Sequence, residues 1–316
     1  MSALVHFEGL DRAALPAKPL HLAIGMFDGV HLGHQSVIDS ALHSARRSGG
    51  LAGVLTFWPH PSALFHPENP TRLLMPPAMK RRVLGQLGLD FVIEQNFSRD
   101  FAQIEAADFL PWLQRHLAQL NAVYVGENWR FGRNRAGDVA MLVEAARRLG
   151  LAVFSAPRLN HNGAPISSSR IRELLTAGDV AGANALLGYS YFAEGVVERG
   201  RRLGHTIGFP TLNLAWQPEL RPRYGVYAVE VATGTKNPLK GVANYGVRPT
   251  VESAGAALLE VHLLEHSSLT YGDKLTVKWL HFLRPEGKFG GMEELRLQIA
   301  ADVRNARQFF QNNPAP

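Results

Sequence analysis

Short apolar runs alternate with amphipathic segments along the first 187 residues of the chain. Continuous hydrophobic runs, typical of strands that are buried on both faces of a sheet, occur at residues 21–25, 51–57, 90–94, 122–126 and 151–155. Segments with helical periodicity separate them, at residues 35–47, 77–87, 105–117, 137–149, 168–175 and 180–187. This alternation predicts an α/β domain with a Rossmann-like parallel sheet covered by helices over residues 1–187.

The pattern changes near Gly188, where strand-like runs follow one another without long helices between them. The predicted strands are residues 191–198, 225–232, 239–243, 258–264 and 274–283. Residues 225–232 show the period-two alternation of a half-buried strand, and residues 292–310 have a helical pattern. We therefore predict that residues 188–316 form an all-β six-stranded antiparallel barrel with a C-terminal helix.

Composition excludes several classes of protein without indicating an activity. The 316 residues are 46% hydrophobic and contain no cysteine, which excludes disulfides, zinc thiolates and cysteine nucleophiles. No apolar run approaches the roughly 20 residues of a membrane helix. The N-terminus lacks the basic and then apolar order of a signal peptide. We expect a cytoplasmic protein without a membrane partner.

The net charge of +6 raises the question of nucleic-acid binding. Lys and Arg exceed Asp and Glu by 18 to 15 in residues 1–186 and by 15 to 12 in residues 187–316. An even excess without a long basic run favours a mildly basic surface that attracts small anions such as ATP. A nucleic-acid-binding protein is the alternative from another class, and we expect no nucleic-acid partner.

The most informative segment is GMFDGVHLGH, residues 25–34, which follows a predicted strand and opens a predicted helix. Open α/β sheets bind their ligands at this position. Gly25 and Gly29 let the backbone approach a ligand, and the helix start offers N–H groups to phosphate. His31 and His34 would hydrogen-bond the phosphate oxygens at the same helix entrance. Capping or core histidines are the alternative, and a zinc site lacks a third ligand at a standard spacing.

Two later segments carry groups that suit the same chemistry. GENWRFG, residues 126–132, follows a strand and presents Asn128 to a base or ribose. ISSSRIR, residues 166–172, offers three hydroxyls before a helix and the charged fork of Arg172. An ordinary helix N-cap at a serine is the alternative for this segment.

The second half contains a separate candidate site. GRRLGHTIGFPTLN, residues 200–213, combines recurring glycines with arginines and suits a phosphate cradle. Thr211 and Asn213 present oxygen ligands that suit Mg²⁺. Glu260 lies within an apolar strand and could act as a general base. A plain surface loop, and a Glu260 that faces solvent, are the alternatives.

The motifs together resemble those of one known family. GMFDGVHLGH, TFWPHP at residues 56–61, GENWRFG and ISSSRIR occur in the order of the nucleotidyltransferase module of the bacterial bifunctional riboflavin kinase/FMN adenylyltransferases, or FAD synthetases. GFPTLN, GVYAVEV, GVANYGVRPT, LLEVHLL and LRPEGKF occur in the order of that family's riboflavin kinase module. The resemblance covers residues 20–175 and 190–305. It implies an adenylyltransferase domain at residues 1–187 and a kinase domain at residues 188–316.

The family makes FMN from riboflavin and ATP, and then FAD from FMN and a second ATP with release of pyrophosphate. In the first half the resemblance implies a flavin side lined by Pro59, His60 and Pro61. The implied ATP site consists of Gly25, Phe27, Asp28, Gly29, His31, His34, Asn128, Ser168, Ser169 and Arg172. Both histidines and Arg172 would act on the phosphates, without a covalent intermediate. Trp58, Trp129 and Ser169 depart from the family's usual residues.

In the second half the resemblance implies that Glu260 is the base that activates the ribityl hydroxyl of riboflavin. ATP and Mg²⁺ would contact Arg202, Gly204, Gly208, Pro210, Thr211 and Asn213, with Thr211 and Asn213 as metal ligands. Glu260 and Arg284 would contact the flavin, although Arg284 could instead pair with surface carboxylates. Leu203 and His205 depart from the family pattern. A flavin- or nucleotide-binding protein that has lost one or both activities is the remaining alternative.

Overall fold

The structure is a computed structural model that describes residues 4–200, 207–234, 237–247 and 257–314. The chain divides into two compact units, Met1–Ser168 and Ser169–Pro316. The family resemblance places the domain boundary later, after residue 187.

The first unit is built on a parallel sheet. Its strands are β1 (Val5–Glu8), β2 (Leu20–Ile24), β3 (Leu51–Trp58), β4 (Phe91–Asn96), β5 (Leu120–Gly126) and β6 (Ala152–Ala156). They form one six-stranded sheet in the order β1-β4-β3-β2-β5-β6, with every neighbouring pair parallel. Every residue of β2 is buried, because a central parallel strand is covered on both faces.

Helices connect these strands. They are α1 (Leu32–Ser48), α2 (Pro61–Phe65), α3 (Pro77–Gln86), α4 (Arg99–Ala102), α5 (Ala106–His116) and α6 (Val139–Arg148). Helix α1 ends at Gly49, which takes the left-handed conformation at φ 67° as glycine readily does. Asp138 caps α6 by accepting a hydrogen bond from the N–H of Met141. A short hairpin of β7 (Asn160–His161) and β8 (Ala164–Pro165) follows the sheet.

The second unit contains a closed antiparallel barrel. Helices α7 (Ser168–Ala177) and α8 (Val180–Leu187) precede it. The barrel strands are β9 (Phe192–Glu198), β10 (Leu212–Leu214), β11 (Gly225–Ala232), β12 (Leu239–Val247), β13 (Ala257–Leu263) and β14 (Lys274–Pro285). They close in the order β10-β13-β12-β11-β14-β9. Trp279, Tyr227 and Tyr245 are fully buried.

The terminal helix α9 (Met292–Asn312) packs on the outside of the barrel. Ala306 and Phe310 of this helix form one buried cluster with Val226, Ala228 and Val242 of strands β11 and β12. The predicted fold class, an α/β domain with a parallel sheet followed by a six-stranded barrel and a helix, is confirmed.

Candidate active sites

The sheet order of the first unit places two predicted motifs together. Strand β2 has β3 on one side and β5 on the other. Strands β3 and β4 are therefore added on one side of β2, and strands β5 and β6 on the opposite side. Ligands of open α/β sheets bind in the crevice at the carboxyl ends of such strands. Residues 25–34 follow β2, and residues 127–132 follow β5. The fold thus brings GMFDGVHLGH and GENWRFG to one edge.

His31 and His34 form a stacked pair at the start of α1. His31 is the N-cap residue, and its Nδ1 accepts a hydrogen bond from the backbone N–H of His34 at 3.3 Å. The two imidazoles stack with their centroids 3.6 Å apart and 17° between their planes. The ring of Phe27 packs edge-on against His34. His31 can therefore cap the helix and also contact phosphate, because capping fixes its ring beside the free N–H groups at the helix start.

The surroundings of His34 favour its neutral form. Burial, then the neighbouring His31 and Lys80, place the pKa of His34 well below its ordinary value of 6.5. Its Nδ1 is buried and has no hydrogen-bond partner among the described residues. An unsatisfied buried nitrogen of this kind costs free energy and is suited to a ligand that supplies the missing partner.

The loop between β2 and α1 has an unusual backbone that the surrounding residues fix. Phe27 and Val30 adopt positive φ angles of 50° and 38°, which are strained for non-glycine residues. The buried carboxylate of Asp28 accepts hydrogen bonds from the N–H of Leu74 at 3.0 and 3.2 Å. The hydroxyl of Ser168 donates to the carbonyl of Asp28 at 2.8 Å. Asp28 and Ser168 thus stabilise the loop itself.

An aromatic cavity opens beside this loop. Its volume is about 690 Å³, within the usual range for small-molecule pockets. Gly25 and Asn128 line it, as do His60 and Pro61 from the predicted flavin side, whereas Pro59 does not. Seven of its 20 lining residues are phenylalanine or tryptophan, namely Phe57, Phe65, Phe97, Phe101, Phe109, Trp129 and Phe131.

Sequence reasoning missed most of these aromatic residues. They come from β3, α2, α4, α5 and the loops after β4 and β5, so no single motif contains them. Phe101 packs tilted against Phe57 and edge-on against Trp112, at centroid distances of 5.4 and 5.3 Å. Trp129 and Phe131 are stacked instead, with their centroids 4.7 Å apart. The predicted residues Ser169 and Arg172 lie on α7 in the second unit.

In the second unit, the strand register brings the predicted kinase residues together. Asn213 of β10 pairs with Glu260 of β13 and with Glu198 of β9. Directly paired residues share one face of a sheet, with their Cβ atoms roughly 5 Å apart. Leu259 and Val261 on either side of Glu260 are fully buried, so Glu260 and Asn213 point to the other face.

This row of polar residues continues around the barrel, because Glu260 pairs with Asn244 of β12. Asn213 is 7% exposed. A Cβ added at Gly200 would lie 2.2 Å from the side-chain amide nitrogen of Asn213. The backbone at Gly200 therefore closely approaches the Asn213 side chain. The oxygen donors of Thr211 and Asn213 suit a hard cation such as Mg²⁺, and the carboxylate of Glu260 lies beside Asn213.

Arg284 pairs with a carboxylate that is buried, whereas the alternative left open by the sequence was a surface carboxylate. Its guanidinium forms a bidentate pair with the buried carboxylate of Asp302 on α9, at 2.8 and 2.7 Å. The guanidinium also lies 5.7 Å from the ring centroid of Phe289. Both contacts lie within the second unit.

The remaining predicted kinase residues divide into two groups. Gly208 adopts φ 84°, and the carbonyl of Pro210 accepts a hydrogen bond from Nδ1 of His262 at 2.9 Å. Arg202 and Gly204, together with the departures Leu203 and His205, lie outside the described residues.

Two kinds of feature are absent from residues 4–200, 207–234, 237–247 and 257–314. No group of three or more His, Cys, Asp or Glu side chains there could hold a metal ion. No helix in the same ranges is long and apolar enough to cross a membrane.

Comparison with known proteins agrees with this geometry. A family model described as FAD synthetase matches residues 15–170, and one described as riboflavin kinase matches residues 187–310. The chain is 37% identical to the bifunctional riboflavin kinase/FMN adenylyltransferase of Escherichia coli K12, over 93% of this chain and 94% of that protein. It is 37% identical to the Haemophilus influenzae protein of the same name, over 96% and 98% of the two chains.

A solved structure described as a macrolide-efflux protein from Streptococcus pneumoniae superposes with a TM-score of 0.87. It is 26% identical and covers 97% of this chain and 99% of that chain. The identity and coverage of the curated relatives are decisive: the chain belongs to the family of bifunctional riboflavin kinase/FMN adenylyltransferases.

Proposed function

We propose that this protein makes FAD from riboflavin in two steps, at two sites. Residues 188–316 phosphorylate riboflavin with ATP to give FMN. Residues 1–187 then adenylylate FMN with a second ATP and release pyrophosphate. The observation that carries the proposal is the aromatic cavity of about 690 Å³ that reaches Gly25 and Asn128 at the edge of the parallel sheet. A flat aromatic ligand and a nucleotide can meet there.

In the transfer step, a phosphate oxygen of FMN attacks the α-phosphorus of ATP, and the bond from that phosphorus to the β-phosphate bridging oxygen breaks. Catalysis then requires alignment and charge stabilisation rather than a protein nucleophile. His31, His34 and the N–H groups at the start of α1 lie together and would bind the phosphates. The ISSSRIR motif assigns Ser168, Ser169 and Arg172 to the same task.

The isoalloxazine ring would lie in the aromatic cavity. Offset and edge-to-face aromatic contacts contribute about 0.5–1.5 kcal/mol each beyond the burial of apolar area. His60 and Pro61 border this cavity, which supports the flavin side that the family resemblance implies. Asn128 lines the same cavity and would contact the adenosine where the two substrates meet.

In the kinase step, the carboxylate of Glu260 accepts the proton of the terminal ribityl hydroxyl of riboflavin. That oxygen attacks the γ-phosphorus of ATP, and ADP leaves. The pairing of Asn213 with Glu260 across β10 and β13 supports this assignment, since the amide that would bind Mg²⁺ then lies beside the carboxylate that would act as base. Mg²⁺, held by Thr211 and Asn213 with the ATP phosphates, would neutralise the developing charge.

The two halves are tested separately. Purified protein is given riboflavin, ATP and Mg²⁺, and riboflavin, FMN and FAD are resolved by chromatography over time. Glu260→Gln should leave riboflavin unconverted yet still convert supplied FMN to FAD. Formation of neither FMN nor FAD by the folded wild-type protein would refute the enzyme and leave a flavin-binding protein. A gel shift of RNA that weakens with salt would instead support nucleic-acid binding.

A further inference from the structure

Lys80 is a buried cation that no sequence motif identified. It lies on α3 and is 6% exposed. Its ammonium donates to the hydroxyl of Thr56 on β3 at 2.9 Å and to the backbone carbonyl of Met26 at 3.2 Å. The hydroxyl of Thr56 also donates to the carbonyl of Met26 at 3.0 Å. Lys80 and Thr56 therefore converge on one carbonyl of the GMFDG loop.

Burial of a charged lysine costs free energy unless its ammonium is paired or hydrogen-bonded. Burial lowers the pKa of Lys80 to about 8, a change that neighbouring Glu94 and Asp28 oppose and Arg81 increases. The charge of Lys80 in turn contributes to the lowered pKa of His34. A hydrophobic residue would fill the same space on α3 at lower cost, so packing alone does not account for a lysine.

Lys80 lies next to the aromatic cavity but does not line it. Together with Met26, Asp28 and His60 it lines a cavity of about 10 Å³, which has room for about one water. Lys80 is not among the residues that line the aromatic cavity, whereas Met26 and His60 are. Its ammonium thus acts on the loop backbone, one residue before Phe27.

We propose that Lys80 is a positioning residue for adenylyl transfer, which fixes the Met26 carbonyl and so holds the strained loop that leads to His31 and His34. The proposal rests on the assignment of this loop to the ATP phosphates. The loop needs such a fixed point because Phe27 and Val30 occupy positive φ angles, which persist only where the surroundings enforce them.

The test compares Lys80→Met with Lys80→Arg in the full chain, and FMN adenylylation is measured with saturating FMN and varied ATP. Displacement of a catalytic loop by about 1 Å costs on the order of 100-fold in rate. We expect kcat of the Lys80→Met variant to fall by about 10- to 100-fold, with recovery in Lys80→Arg. Riboflavin phosphorylation should remain unchanged in both variants and reports that the second unit is folded. The near-ultraviolet circular dichroism should match that of the wild type and reports on the first unit, which contains Trp58, Trp112 and Trp129.

A pH profile separates this role from a purely structural one. The kcat/KM for ATP reports groups of the free enzyme, so the wild type should lose adenylylation activity as pH rises through about 8, where Lys80 loses its charge. Lys80→Met should lack this decline. Unchanged kcat in Lys80→Met, or the same decline in that variant, would overturn the proposal.

Thr56→Val provides a second variant that keeps the ammonium and removes one of its two partners. We expect a smaller fall in adenylylation kcat of about threefold to fivefold, with the decline near pH 8 retained. Full activity in Thr56→Val would contradict the proposed convergence on the Met26 carbonyl. Absence of FMN adenylylation in the wild type would refute the proposed function. This outcome differs from failure of the Lys80 proposal, which shows only in the variants.

Discussion

The ion pair between Arg284 and Asp302 connects the barrel to its terminal helix. Two guanidinium nitrogens of Arg284 donate to the two oxygens of Asp302, whose side chain is 3% exposed. Gln298 on the same helix donates to one of those oxygens at 2.9 Å. Replacement of Arg284 by methionine would leave a buried carboxylate with a single amide partner.

The expected cost follows from this burial. Removal of one partner of a buried ion pair destabilises a protein by about 3–5 kcal/mol. At about 2–4 °C per kcal/mol for a domain of this size, the second unit of Arg284→Met should unfold about 6–20 °C lower. Calorimetry of the full chain, with riboflavin kinase activity followed through the transition, measures this shift.

A double variant isolates the pair itself. Arg284→Met combined with Asp302→Leu removes both charges, and well-packed apolar replacements of buried ion pairs are often neutral or stabilising. We expect the double variant to regain most of the unfolding temperature and a normal KM for riboflavin. An unchanged unfolding temperature in Arg284→Met, with a raised KM for riboflavin in both variants, would refute the reasoning and assign Arg284 to the flavin.

Three further changes test the two sites. Gly200→Ala places a Cβ against the Asn213 amide and should reduce kinase kcat at least about tenfold, with FMN adenylylation unchanged; an unaffected kinase would contradict the placement of Asn213. Phe101→Ala should raise the KM for FMN about tenfold, the equivalent of about 1.4 kcal/mol, whereas Phe154→Ala, an exposed ring outside the cavity, should not. Because the pKa of folded His34 lies well below 6.5, its neutral form contributes stability above pH 6.5 that is lost as pH falls towards the folded pKa. The urea midpoint of the wild type should therefore drop more steeply below pH 6.5 than that of His34→Gln, and equal slopes would contradict the burial of a neutral His34.

Periodicity was sufficient for the long elements and insufficient for the short ones. The buried runs at β2 and β3 and the helical pattern at α1 are strong local signals. Strands β1 and β10 were missed: residues Val5–Glu8 and Leu212–Leu214 are too short for a pattern. Their strand character comes from pairing with distant strands, β4 for the first and β13 and β9 for the second.

The candidate site shows the same division. Residues within one motif, such as His31 and His34, could be predicted because the strand and helix that flank them fix their position. Lys80 and Phe101 could not be predicted, since each lies far along the chain from the loop or cavity that it contacts. Neither belongs to a motif, and only the fold brings Lys80 beside Met26.

The central claim is that two separate sites act in sequence, and a mixing experiment tests it most directly. Glu260→Gln and His31→Ala are each incubated with riboflavin, ATP and Mg²⁺, alone and together, and the flavins are resolved over time. We predict no product from Glu260→Gln alone, FMN but not FAD from His31→Ala alone, and FAD from the mixture. Loss of both products in His31→Ala, or no FAD from the mixture, would contradict the account.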